Sequence, residues 1–188
     1  NSQVWFTVIM GVVGFGGMFS VYTYISWTMT EVAGMDQSLI WVVLMAYGIG
    51  MTIGNAFGGW LADRNLEFGI IFALACLIVI LTAFYFLSSH AIPATLCFGC
   101  VAFMGSTLVP SLQLRLVHVA GDAQTLAAAL NQSALNIANA AGATIGGAVV
   151  GAGLGYSAPA LAGAALAAAG CLVWAATMWD KKRLSRRA

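Results

Sequence analysis

The side chains with chemical reach in this sequence are neutral and lie inside apolar runs. Ser20, Thr23, Tyr24 and Trp27 follow at spacings of three and four residues, with Tyr22 off their line, so they share one helical face. Ser106, Thr107, Ser111 and Gln113 surround Pro110, whose ring removes a backbone hydrogen bond and predicts a kink. Gln132, Asn136 and Asn139 continue the pattern at +4 and +3. Hydroxyls, amides and aromatic rings of this kind hold a solute by hydrogen bonding and stacking. An amide buried in an apolar medium without a partner costs roughly 2–7 kcal/mol, so each must face a neighbouring helix or a water-filled cavity. Tyr24, Trp27, Gln113 and Asn136 are the candidate cavity lining for a small-molecule substrate. Asn55 and Asn139, beside glycine-rich stretches, are candidates for bonds between helices, and Met18, Met45, Met51 and Met104 read as packing.

The elements that position these groups follow from the charge distribution. Only 7% of the 188 residues are charged and 61% are hydrophobic, against about 25% charged in a soluble domain. No Lys, Arg, Asp or Glu occurs in 1–30, 37–62, 68–114 or 123–179. Charge-free apolar stretches of about 18 residues or more read as membrane spans. A soluble enzyme, a nucleic-acid binder and a disordered chain are excluded; membrane lipid is the surrounding medium. The two longer runs are interrupted at Ser88–Pro93 and Gly155–Pro159. The result is an all-α membrane protein in one transmembrane domain, 1–188. Its six transmembrane helices lie near 4–28, 39–61, 67–88, 92–117, 124–154 and 158–179, followed by a basic tail, 180–188. Asp122-Ala-Gln-Thr125 is positioned to cap the fifth span.

Direction follows from the basic residues. Arg64, Arg115, Lys181, Lys182, Arg183, Arg186 and Arg187 fall on the face that also holds both chain ends, while Glu31, Asp36 and His90 occupy the other. Both termini are therefore expected on the cytoplasmic side of a cell membrane. Asn1 runs almost directly into Val4-Trp5-Phe6 without an initiator Met. No charged leader with a small-residue cleavage site precedes it, and the start reads as a cut chain.

No cofactor or metal is expected. Cys97-Phe-Gly-Cys100 is a single CxxC without a second pair or a nearby His, so the four cysteines read as small buried residues. Gly151-Ala-Gly153-Leu-Gly155 follows no strand, so it fails as a nucleotide loop. Small residues carry helix association in lipid. Gly50, Gly54 and Gly58 make two GxxxG steps in the second span, and Gly142 and Gly146 continue into Gly147, Gly151 and Gly155 in the fifth. These two spans share Ile-x-Asn-Ala-x-Gly, at Ile53–Gly58 and Ile137–Gly142, and Phe15-Gly16 matches Phe98-Gly99. An echo between spans one to three and spans four to six is what an inverted 3+3 repeat produces.

The second span ends Gly59-Trp60-Leu61-Ala62-Asp63-Arg64. This resembles the cytoplasmic loop motif Gly-x-Leu-Ala-Asp-Arg of the major facilitator superfamily. Tyr22–Ser26 with Thr30–Gly34, Val109–Arg115 and Gly153–Pro159 resemble segments of its drug:proton antiporter, arabinose-efflux-like branch. Two positions depart: Asn65-Leu66-Glu67 stands where the family has Gly-Arg-Arg, and Trp27 where the branch often has Pro. The resemblance implies the C-terminal six-helix half of a twelve-helix fold, partnered by an N-terminal six-helix half. It implies a secondary active transporter, not an enzyme: a proton-coupled exporter of small molecules working by alternating access. It makes Gly59, Asp63 and Arg64 a cytoplasmic gate motif. No ionisable residue lies at mid-depth, so a titrating carboxylate is expected in the other half. The alternative is a six-helix channel of aquaporin-like architecture, suggested by Asn55-Ala56 and Asn139-Ala140; both pairs lack the following Pro. An intramembrane serine protease of the rhomboid kind is disfavoured, because Gly105-Ser106 lacks its Gly-x-Ser-Gly context.

Overall fold

The computed structural model describes residues 2–121 and 124–185 and is helical throughout. Five helices are long and apolar enough to cross a membrane among the described residues. They are α1 (Ser2–Trp27), α2 (Ile40–Leu87), α3 (Ala91–Ala120), α4 (Gln124–Val149) and α5 (Pro159–Ser185). Helices are the expected answer, because backbone groups in lipid must be satisfied within their own segment. Wide π turns extend α1 over Thr28–Val32 and α4 over Val150–Leu154. The latter ends at Gly153 and Gly155, both at positive φ (79° and 84°), a conformation costly for any residue with a Cβ. Pro159 then opens α5 at the first helical position, where its missing N–H is no loss.

The 48 residues of α2 would stretch about 72 Å if straight, far beyond a hydrocarbon core of about 30 Å. They form two arms, 40–64 and 66–87, broken at Asn65 (φ −156°, ψ 91°). The Asn65 side-chain oxygen accepts the backbone N–H of Phe68 at 3.1 Å, capping the second arm. Gly69 packs on Leu61 across the break, so the arms fold back on each other. The residue that departs from the family motif is thus the turn itself, and the expected loop between 61 and 67 shrinks to one residue. One other boundary also moves: residues 180–185 of the expected tail continue α5. Pro110 lies inside the 30-residue α3. The Asp122 cap, Arg186 and Arg187 lie outside the described residues.

The core is apolar and runs between α1, the second arm and α3. Met10, Phe15, Met18, Val21 and Ile25 meet Ile70, Leu74, Leu77, Leu81 and Phe84, and then Phe98, Val101, Leu108 and Leu112. The second-arm residues recur at three and four, one stripe of a 3.6-residue helix.

Glycine seams fix the neighbours. A Cβ on Gly50, Gly54 or Gly58 would overlap the carbonyl of Gly99, Phe103 or Thr107, so the first arm and α3 run parallel with touching backbones. On the other side a Cβ on Gly142 would come within 2.5 Å of the Gly16 carbonyl, and one on Gly146 within 3.0 Å of that of Ser20. Helices α1 and α4 are therefore parallel too. Gly17 against Gly163 and Ser20 against Pro159 make α1 and α5 antiparallel. The two parallel seams coincide contact for contact. Gly50 lies on Gly99 and Ala102 as Gly142 lies on Gly16 and Phe19, and Gly99 meets Ala46 as Gly16 meets Ala138. This corrects the register of the sequence echo. Aligned on Asn-Ala, Gly58 would equate with Gly142, yet Gly58 rests on Thr107, two turns further along its seam. The matching segments are Gly50-Met-Thr-Ile-Gly54 and Gly142-Ala-Thr-Ile-Gly146, because backbone contact constrains glycine position more tightly than it constrains an outward amide.

Candidate functional site

Helix α4 is sparsely covered by the rest of the chain. It turns Ala127, Ala134 and Ala138 inward, which places Gln132, Asn136 and Asn139 on the opposite, exposed face. None of these amides has a hydrogen-bond partner among the described residues. Asn55, on the first arm, is equally exposed. Neither Asn55 nor Asn139 therefore bonds a neighbouring helix of this chain, contrary to that expectation. Lipid cannot cover three amides on one face at a tolerable cost, so this face belongs against water or another polar surface.

Tyr24 lies half-buried in the groove left by Gly146 and Gly147, and its hydroxyl donates to the Ala143 carbonyl at 3.1 Å. Ser20 and Thr28 on the same stripe donate to Pro159 and Tyr156 carbonyls at 2.9 and 2.8 Å. The face expected to bind solute is thus largely occupied in joining α1 to α4 and α5. Tyr24→Phe should cost about 1 kcal/mol of stability, read by thermal unfolding in detergent. No change would mean that the hydroxyl contact carries no weight. Trp27 stays open on this face, and Tyr22, off it, is also exposed, with its ring 4.8 Å from Tyr47 and 6.5 Å from Phe98. Its off-face spacing was the signal that hid it.

Trp27 is half exposed and stacks on Tyr156 at 6.4 Å and 14°. With Ser26, Thr30, Glu31, Met35, Gln37 and Ile40 it lines a cavity of about 580 Å3 at the acidic end. Here Ser38 hydrogen bonds hold the Asp36 carboxyl below its ordinary value. Gln113 is exposed on α3, without a hydrogen-bond partner among the described residues. Tyr24 and Trp27 therefore meet, with ring centroids 6.1 Å apart, while Gln113 and Asn136 stand on separate helices. Of the hydroxyls beside Pro110, Thr107 donates to the Gly54 and Phe103 carbonyls and Ser111 to that of Thr107. Ser106 is buried without a hydrogen-bond partner among the described residues.

At the basic end lie Gly59, Asp63 and Arg64. Asp63 and Arg64 are exposed, the Arg64 guanidinium lies 4.2 Å over the Trp60 ring, and nothing would meet a Cβ on Gly59. Beside them lies a network that sequence reasoning missed. Arg115, 1% exposed, is paired with Glu67. Its other nitrogens donate to Thr7 Oγ1 at 3.1 Å and Gln3 Oε1 at 3.3 Å. Glu67 also accepts Trp174 Nε1 at 3.1 Å and Lys181 Nζ at 2.5 Å. Gln3 Nε2 and Ser2 Oγ donate to Asp180 at 2.8 and 2.9 Å. One carboxylate and one guanidinium thereby tie α1, the second arm, α3 and α5 together.

The sequence profile of the Major Facilitator Superfamily matches residues 6–188. The inner membrane transport protein YdhP of Escherichia coli (strain K12) is 37% identical over 155 residues, 82% of this chain and 40% of that protein. The uncharacterized MFS-type transporter YfhI of Bacillus subtilis (strain 168) is 34% identical over 176 residues, 92% of this chain and 44% of that protein. A chloramphenicol resistance protein of Streptomyces lividans is 29% identical over 170 residues, 88% of this chain and 42% of that protein. The chain spans about two fifths of the length of these relatives.

Proposed function

The chain belongs to the Major Facilitator Superfamily, and from that premise we propose that it is the C-terminal half of a proton-coupled small-molecule exporter. It is a multi-pass membrane protein of a transporter family, which points to transport rather than catalysis and leaves the channel alternative unfavoured. The observation that carries the finer reading is the outward stripe Gln132, Asn136 and Asn139 on the least covered helix. Such a face is stable in a membrane only against a polar cavity or a second protein half, here the N-terminal six helices. Counting the two arms of α2 separately makes six spans, and the coincident glycine seams support an inverted 3+3 repeat. The basic end, with Gly59, Asp63 and Arg64, faces the cytoplasm as the gate. Tyr22, Tyr24, Trp27, Gln113 and Asn136 then border the substrate path, exposed alternately to each side as the halves rock. The chloramphenicol resistance protein among the relatives and the drug:proton antiporter resemblance favour export.

Expressed alone, the chain should change no substrate accumulation in membrane vesicles, and co-expression with an N-terminal six-helix half should restore it. Full transport by the lone chain would overturn the assignment. In the assembled transporter, Asp63→Asn should shift cysteine accessibility toward the cytoplasmic-open state. Unchanged accessibility would reduce Asp63 to a topology charge.

A further inference from the structure

The basic end of α5 carries another cavity, outside the transport reading, that shares Trp174 and Lys181 with the buried network. Trp174, Met178 and Lys181 follow at spacings of four and three, with Ala175, Trp179 and Lys182 alongside. Together they line about 620 Å3. Every lining residue comes from this one helix, so the cavity opens off the side of the bundle rather than between its helices. A solute path needs walls on several helices. A groove on one outer helix faces the bilayer.

Its chemistry is layered along the helix. Two tryptophans and a methionine form the apolar floor, and lysines stand at the rim within two turns. Trp belongs at the membrane–water boundary, and basic side chains there attract anionic headgroups. The local charge is in surplus. Among the described residues at this end, Arg64, Arg115, Lys181, Lys182 and Arg183 outnumber Asp63, Glu67 and Asp180. Glu67 is already matched by Arg115, so Lys181, 42% exposed, holds only a shared claim on it. Trp174 is fixed in orientation because its indole N–H is held by the same carboxylate. Arg183 lies 6.0 Å from the exposed Trp179 ring, which adds a third cation beside the rim.

We propose that this groove binds an anionic phospholipid, its phosphate between Lys181 and Lys182 and an acyl chain along Trp174, Met178 and Trp179. A free phosphate would have no use for the apolar floor, and a zwitterionic lipid would leave the charge surplus unmatched. Because Lys181 also touches Glu67, an occupied groove bears directly on the ion pair that joins four helical segments.

The test is tryptophan quenching by brominated phosphatidylglycerol and brominated phosphatidylcholine, with the protein in mixed detergent–lipid micelles. Phosphatidylglycerol should quench at lower mole fraction, and Trp179→Phe should reduce the selective component to that of Trp174. Each lysine should contribute roughly fivefold to the preference. Lys182→Gln, which leaves the Lys181–Glu67 contact in place, should therefore lower it about fivefold, and Lys181→Gln with Lys182→Gln should abolish it. The paired Lys→Arg variant should keep it. Equal quenching by the two lipids, or a preference that survives Lys182→Gln, overturns the proposal. Displacement of the lipid by millimolar inorganic phosphate also overturns it, by marking a site for free anions.

Discussion

Replacing Glu67 with alanine should destabilise the protein by about 3–5 kcal/mol, the cost of leaving a buried charge without its partner. Arg115 is 1% exposed and paired with Glu67. Once the carboxylate is gone, its guanidinium keeps only Thr7 and Gln3 as neutral acceptors. The converse change, Arg115→Met, should cost less. Glu67 is 27% exposed and retains Lys181 and Trp174, so it is left solvated and still partnered. Removing both charges together, as Glu67→Leu with Arg115→Met, should recover most of the loss, since an apolar pair avoids the desolvation penalty altogether. Unfolding curves in one detergent for Glu67→Leu, Arg115→Met and the double variant supply the cycle, with Glu67→Ala measured alongside. Equal single costs, or a double variant as unstable as Glu67→Ala, would remove the ion pair from the stabilising role given to it.

Gly54→Val should prevent the bundle from assembling, while Gly48→Ala, less than two turns away on the same arm, should be neutral or slightly stabilising. A Cβ on Gly54 would overlap the Phe103 backbone, whereas nothing lies within 4 Å of one on Gly48. Overpacking against side chains costs typically 1–3 kcal/mol because rotamers can shift. A backbone carbonyl inside a packed helix cannot step aside, so the cost at Gly54 should exceed about 3 kcal/mol. At Gly48 only helix propensity changes, in favour of alanine by up to about 1 kcal/mol. Folded yield and thermal midpoint in detergent distinguish the two. Tolerance of valine at Gly54 would show that the first arm and α3 do not touch as described.

Glu67 and Gly54 also mark how far the sequence could be read. Gly54 announced itself, because four-residue glycine spacing inside an apolar run has few meanings in a membrane. Glu67 did not. A charge at the edge of an apolar run looks the same whether it faces water or a buried guanidinium, and Arg115 lies 48 positions away. Set against the family motif, Asn65-Leu66-Glu67 looked like a loss of basic charge. In the fold the same residues supply a helix cap and the centre of an ion network. The glycine repeat shows a subtler failure. Gly-x-Thr-Ile-Gly was present in both halves, but Asn-Ala drew the alignment two turns away, and only the contacts with α1 and α3 identify the matching glycines.

The placement of candidate site residues divides along the same line. Spacing put Tyr24, Trp27 and Ser20 on one face correctly, yet could not say what that face meets. The structure turns most of it toward α4 and α5, where Tyr24 and Ser20 spend their hydroxyls on backbone carbonyls, and leaves Trp27 and the off-face Tyr22 open. For α4 the periodicity carried further, since its alanines are small enough to pack and Gln132, Asn136 and Asn139 find no partner among the described residues.

Apolar run length, charge sign and glycine spacing determined the membrane class, the helical segments and the residues able to bring backbones together. These are properties of a segment in its solvent, set by local transfer energies and by a backbone that must satisfy itself. Tertiary structure alone decided which helix each glycine touches, which stripe of α1 is closed, and that Glu67 and Arg115 share one buried site. Those outcomes depend on separations of tens of residues collapsing to a few ångströms. Helix packing sets such distances, and no local energy of the chain encodes them.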